Sequence, residues 1–102
     1  MSIDLQPRHL QVVQAILQEH VSDCEVWVFG SRAGSCNKPF SDLDLAVVSS
    51  SPLPIRRLAL LANAFEESDL PIKVDVVDLQ STSAAFQKRI TEHHEVILSP
   101  EN

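Results

Sequence analysis

Apolar residues recur at helical spacing near the start of the chain. Leu10, Val13, Ile16 and Leu17 fall three or four residues apart, which places them on one face of a helix. Pro7 suits the first turn, where its missing N–H removes a donor that would have no intrahelical partner. The predicted helix runs from Pro7 to His20. The pattern then changes. Glu25-Val26-Trp27-Val28-Phe29 is dense in β-branched and aromatic residues and reads as a strand ending at Gly30. Leu43 to Val48 reads as a second strand. Ile72 to Val77 reads as a third, with Ile72, Val74 and Val76 alternating against Lys73, Asp75 and Val77. Between them, Pro54 to Glu67 is predicted helical, with Ile55, Leu58, Leu61, Ala62 and Phe65 on one side. Ser81 or Ser83 caps a later helix reaching about Glu92, and Val96-Ile97-Leu98 adds a short edge strand.

The remaining segments read as connections. Ser31 to Ser41 is loop-like, with room for a short helical turn, and holds or adjoins both glycines of the chain, Gly30 and Gly34. Ser49 to Pro52, with Pro54 just after, reads as a loop rather than a linker. Strands alternating with helices predict an α/β (α+β) fold, one sheet with flanking helices. The length of 102 residues fits a single domain spanning 1–102. A core of that size is modest, so a partner covering apolar surface is expected.

Charge narrows the ligand. Fourteen acidic and eight basic side chains leave a net charge of −6, which argues against direct nucleic-acid binding. An anionic ligand would need a bridging cation. No apolar stretch approaches the roughly 20 residues that cross a bilayer, and no basic start leads into an apolar run. The expectation is a cytoplasmic protein without a membrane segment. Cys24 and Cys36 are too few for a disulfide scaffold and lack zinc-site spacing, so both are expected as reduced thiols.

The candidate chemistry lies between Gly30 and Asp44, with one outlier. Gly30-Ser31 directly follows a strand, where a tight backbone turn allows close approach and N–H groups can hold a phosphate. Asp42 and Asp44 stand two apart at a strand start and so share a face. Two carboxylates side by side repel each other, and hard divalent cations take such oxygen ligands. The plain alternative is a solvated strand end. Asp75 interrupts an apolar strand, where a buried carboxylate is costly unless paired or metal-bound. Its plain alternative is an exposed face with Lys73 as ion-pair partner. Asp78, at the strand end, either caps or faces water.

Other templates fail. Gly-x-Ser-x-Gly would need glycine at Phe29, and neither a Gly-Lys-Ser/Thr phosphate loop nor Gly-x-Gly-x-x-Gly occurs. His93-His94 reads as a surface pair, His9 and His20 as solvated, and Trp27 as core.

Gly30-Ser31, ten intervening residues and Asp42-x-Asp44 resemble the signature of the nucleotidyltransferase superfamily, whose fold is shared with the DNA polymerase beta catalytic core. The Gly-Ser-Arg-Ala start, Ser41-Asp42-Leu43-Asp44-Leu45 and Val74-Asp75-Val76-Val77-Asp78 are similar to the minimal nucleotidyltransferases. The resemblance covers roughly Val26 to Asp78 by motif, and implies one mixed sheet of three to four strands flanked by helices.

It also implies roles. Gly30, Ser31, Arg32 and Ser41 would bind the nucleotide. Asp42, Asp44 and Asp75 would be catalytic and hold magnesium, with two ions expected and ATP as substrate. In such a mechanism Arg32 and Lys38 would add charge stabilisation, and the plain alternative for each is a solvated surface role. Family members are commonly encoded beside an all-helical HEPN protein. In several such pairs the helical protein is a toxic ribonuclease, and the minimal nucleotidyltransferase is its antitoxin, moving AMP from ATP to a tyrosine of the toxin. The chain ends soon after its last predicted strand, so the acceptor site is expected from the partner, in a homo- or hetero-oligomer.

One position departs from the pattern. The family usually carries glycine at the sixth position of the Gly-Ser motif; here Ser35 stands there, and Gly34 comes one earlier. This motivates a second reading: a catalytically weak module that neutralises a helical partner by contact. A phospho-acceptor receiver domain also clusters acids at strand ends, but needs five strands where three strong ones are predicted.

Overall fold

A computed structural model describes residues 6–29, 43–50 and 52–100. The elements run α1 (Pro7–Val21), β1 (Glu25–Phe29), β2 (Leu43–Val48), α2 (Ile55–Glu66), β3 (Val74–Asp78), a short 3-10 turn (Leu79–Ser81), α3 (Ala84–Glu92) and β4 (Glu95–Leu98). The strands form a sheet of order β3-β2-β1-β4. β1 pairs antiparallel with both β2 and β4, while β2 pairs parallel with β3. The sheet is thus mixed, and β4 is an edge strand as expected.

Strand alternation divides the sheet into two faces. Val26 and Val28 of β1 and Leu43, Leu45 and Val47 of β2 turn to one face. There they bury against Val13, Leu17 and Val21 of α1, Leu61 and Phe65 of α2, and Ile97 of β4. Val74 and Val76 pack against the same cluster from β3. α1 starts with Pro7 and has no side-chain cap. Its far end is tied to α2 by Arg57, which donates from Nε and Nη2 to the His20 carbonyl at 3.3 and 3.2 Å. That carbonyl lies in the last turn, where intrahelical donors run out. Arg57 also pairs with Asp23.

The register assigns Trp27, Ala46 and Val77 to one row of the opposite face, and Phe29, Asp44 and Asp75 to the next. α3 connects the two sheet edges across this face. Phe86 meets Phe29 edge-on, with ring centroids 5.7 Å apart. His94, just past α3, stacks on Trp27 at 3.8 Å. The Ser83 hydroxyl caps α3 by accepting from the Phe86 N–H at 3.2 Å, which settles the choice between Ser81 and Ser83.

Several expectations need correction. Trp27 is half-buried on the second face and lies outside the main core cluster. Its partner His94 is half-buried, so His93-His94 is not a plain surface pair. His9 and His20 are also half-buried. Ile55 is 86% exposed. At 3.6 residues per turn it points about 120° away from Leu61, off the stripe that Leu61 and Phe65 bury. β3 begins at Val74 rather than Ile72, because pairing starts where β2 starts, at Leu43 opposite Val74. Ile72 still packs on the core from before the strand. No helix among the described residues is long and apolar enough to cross a membrane.

Candidate active site

The register of the parallel pair decides where acidic chemistry can occur. Asp44 on β2 is the direct partner of Asp75 on β3, and Phe29 on β1 is the direct partner of Asp44. Direct partners share a face, and neighbouring strands lie about 4.8 Å apart. The two carboxylates therefore stand side by side on the second face. Both belong to the second residue of their strands, so the pair sits at one end of the sheet. β1 ends at that same end with Phe29.

Gly30, Ser31, Arg32, Ser41 and Asp42 lie outside the described residues, as do Gly34, Ser35, Cys36 and Lys38. Their flanks do not. Phe29, immediately before Gly30, and Leu43, immediately after Asp42, both sit at the carboxylate end of the sheet. Leu43 is held there by its N–H, which donates to the Lys73 carbonyl at 2.9 Å.

Asp75 has a weak cationic neighbour. Lys73 Nζ is 3.8 Å from its carboxylate, and the two side chains are 72% and 46% exposed. A solvated pair of that length contributes little. Half-exposure also means that burial does not force Asp75 to find a partner, so both plain features anticipated for it, an open face and Lys73, are present. Its distinction lies in its register with Asp44, which no strand-by-strand argument contains. Asp78 caps rather than facing water. It is only 4% exposed, and its carboxylate accepts from the N–H groups of Leu53 and Gln80 and from the Ser81 hydroxyl.

The donor set suits a hard cation. Two carboxylates side by side supply the oxygen ligands that magnesium prefers. Among the described residues no group of three His, Cys, Asp or Glu side chains forms a metal cluster; of the three expected ligands, Asp42 lies outside them. The clear protonation shifts lie elsewhere. The hydrogen bond from Arg57 holds the Asp23 carboxyl below the usual carboxylate range. Burial, followed by the charge of Asp23, pushes the Cys24 thiol up, and a buried protonated thiol is chemically inert.

One feature beside the carboxylates escaped sequence reasoning. A groove of about 580 Å³ is lined, among the described residues, by Phe29, Phe86, Arg89, Ile90, Glu92 and His93. A signal for it existed. Phe86, Arg89, Ile90 and His93 recur at helical spacing, which puts them on one side of α3. Nothing in the sequence says that this side faces Phe29.

A mixed sheet with two carboxylates paired at one end, beside a strand that leads into Gly-Ser, is the arrangement that the resemblance to the nucleotidyltransferases implies. Residues 11–102 match the family model described as polymerase beta, nucleotidyltransferase. The chain belongs to this family. It is 42% identical over 99 residues to a probable protein adenylyltransferase MntA of Haemophilus influenzae, covering 97% of this chain and 87% of that protein.

Solved structures agree on the fold. A toxin–antitoxin crystal structure with AMP-PNP superposes with a TM-score of 0.73 at 22% identity, covering 90% of this chain and 74% of that one. A tri-AMPylated Shewanella oneidensis HEPN toxin in complex with MNT antitoxin matches at 0.69 and 21% identity, over 93% and 73%.

Proposed function

We propose that this chain transfers AMP from ATP to a hydroxyl group, namely a tyrosine of a HEPN-type all-helical protein, and acts as the antitoxin of that pair. The observation that carries the reading is the register pairing of Asp44 with Asp75 at the end of the sheet where β1 leads into Gly30-Ser31. The 42%-identical adenylyltransferase supports the choice of AMP. Solved toxin–antitoxin complexes of like fold support the choice of partner. A cytoplasmic setting fits both.

In this mechanism Gly30 and Ser31 hold the β- and γ-phosphates through backbone N–H groups and the hydroxyl, with Arg32 and Ser41 completing the nucleotide contacts. Asp42, Asp44 and Asp75 would hold magnesium, two ions in the full reading. When bound, the metal neutralises the polyphosphate and sharpens the attacking oxygen. Asp75 takes the proton of the acceptor hydroxyl. The hydroxyl oxygen bonds to the α-phosphorus, the bond from that phosphorus to the bridging oxygen breaks, and pyrophosphate departs. The helical partner supplies the acceptor and its binding surface.

The test is the intact mass of the purified helical partner after incubation with this protein, ATP and magnesium. One or more added AMP units are expected. Asp44→Asn and Asp75→Asn should each slow the gain by at least about a hundredfold, with thermal melting unchanged. No gain despite a stable complex would favour the second reading, neutralisation by contact, which Ser35 in the phosphate loop motivates. That reading requires inhibition to survive loss of all three aspartates.

A further inference from the structure

The outward face of α2 is mostly apolar along its length and charged at its two ends. Ile55 is 86% exposed and Leu60 54%. Ala59, Ala62 and Asn63 are exposed beside them. At 3.6 residues per turn these five fall on one side of the helix, opposite Leu61 and Phe65, which are buried. Arg56 stands near the start of the face and Glu67 just past its end, both exposed. Large apolar side chains grouped on one exposed face mark a contact surface, and small residues between them let a second helix come close.

We propose that a second copy of this chain pairs on this face, with the two α2 helices antiparallel about a two-fold axis between Leu61 and Ala62. This pairing lies outside nucleotidyl transfer and does not depend on it.

Charge selects both the partner and the direction. A two-fold axis across the helices at that point sets position 56 of each copy opposite position 67 of the other. Arg56 and Glu67 project about 20° apart around the helix, so an antiparallel copy forms the Arg56–Glu67 pair twice. A parallel copy would set like charges together at both ends, which repel. The pair cannot form within one chain, because eleven residues of helix put roughly 16 Å between its members. The same axis brings the two Leu60 side chains within about 4.5 Å along the helix direction. It also lays Ile55 on the methylene stem of the second copy's Glu66. A different helix would have to reproduce both end charges to match as well, whereas a second copy supplies them by symmetry.

The pairing is weak. Twelve helical residues span about 18 Å, a contact well below the roughly 800 Å² per partner of a stable complex. Net charge −6 on each copy also opposes association. Monomer and dimer therefore exchange with concentration. α2 covers the core face of the sheet through Leu61 and Phe65, while Asp44 and Asp75 stand on the other face. The dimer leaves both carboxylate pairs open.

The test is sedimentation equilibrium of the full chain from about 10 µM to about 1 mM. The wild type should show a monomer–dimer equilibrium. Arg56→Glu and Glu67→Arg should each weaken it about tenfold, since each sets like charges opposite one another at both ends. Glu67→Arg lowers the net negative charge, so its loss cannot come from overall repulsion. Each reversal suits the helix end it occupies, and melting temperatures should not fall. An equimolar mixture of the two variants should recover wild-type association, because both end contacts are again of opposite charge and the total charge equals that of the wild-type dimer.

A wild type that is monomeric throughout would overturn the pairing. So would a dimer that both single variants leave unchanged, which would place the contact elsewhere, or a mixture that associates no better than its components. A monomeric wild type whose binding to a helical partner is weakened by Ile55→Ser would assign the face to that partner instead.

Discussion

Asp44 and Asp75 are thirty-one positions apart in the chain, and what joins them is one line of β-register. A slip of one residue would turn one carboxylate to the core face and destroy the pair. Leu43 and Leu45 guard against that slip, since both are fully buried on the opposite face. Burial of these apolar neighbours thus fixes the face on which the carboxylates stand. Asp23 illustrates a different use of a carboxylate. Its pKa is depressed by the hydrogen bond from Arg57, so its contribution to stability is present above the ordinary carboxylate pKa of about 3.9 and is lost as pH falls through the lower folded value. Asp23 is largely exposed, which keeps the effect below about 1 kcal/mol. Chemical denaturation between pH 7 and pH 3 should show a shallower acid loss for Asp23→Asn than for the wild type.

The elements fall close to where periodicity puts them, with β1 and β2 spanning their predicted residues and the helices ending within a residue or two. The departures occur where a neighbour intervenes. β3 is shifted toward Asp78 because its pairing with β2 continues to Val47 opposite Asp78. Asp78 then joins three segments: the end of β3, the turn through Gln80 and Ser81, and the loop at Leu53. Removing a buried acceptor leaves its donors unsatisfied, at about 1–3 kcal/mol for each buried group. Asp78→Ala should therefore lower unfolding free energy by several kcal/mol in urea titrations. It should do so without touching the carboxylate pair, since Asp78 and Asp75 stand at opposite ends of β3. Equal stability of variant and wild type would show that the clamp is dispensable.

For the whole molecule, charge and topology combine. A chain of net charge −6 repels a nucleoside triphosphate, and under the proposed function the carboxylate pair sharpens that repulsion at the phosphates. Chelating divalent cations should weaken AMP-PNP binding by more than about tenfold, a loss that calorimetry with and without EDTA would reveal. Unchanged affinity would mean that Arg32, Lys38 and other cations hold the phosphates unaided.

What sequence alone determined here was local. Hydrophobic period placed the helices and strands, because a buried stripe needs a fixed repeat. The spacing from Gly30-Ser31 to Asp42-x-Asp44 pointed to the family, because it resembles a signature that lies within one short stretch of chain. Even the apolar and polar sides of β3 were readable from alternation. Only tertiary structure decided the rest. It paired Asp75 with Asp44, turned Ile55 to solvent, moved Trp27 from the core to a stack with His94, and brought α3 across Phe29 to make a groove. Each of these depends on which element lies against which. That is set by the summed burial of many side chains, a quantity that no single segment carries.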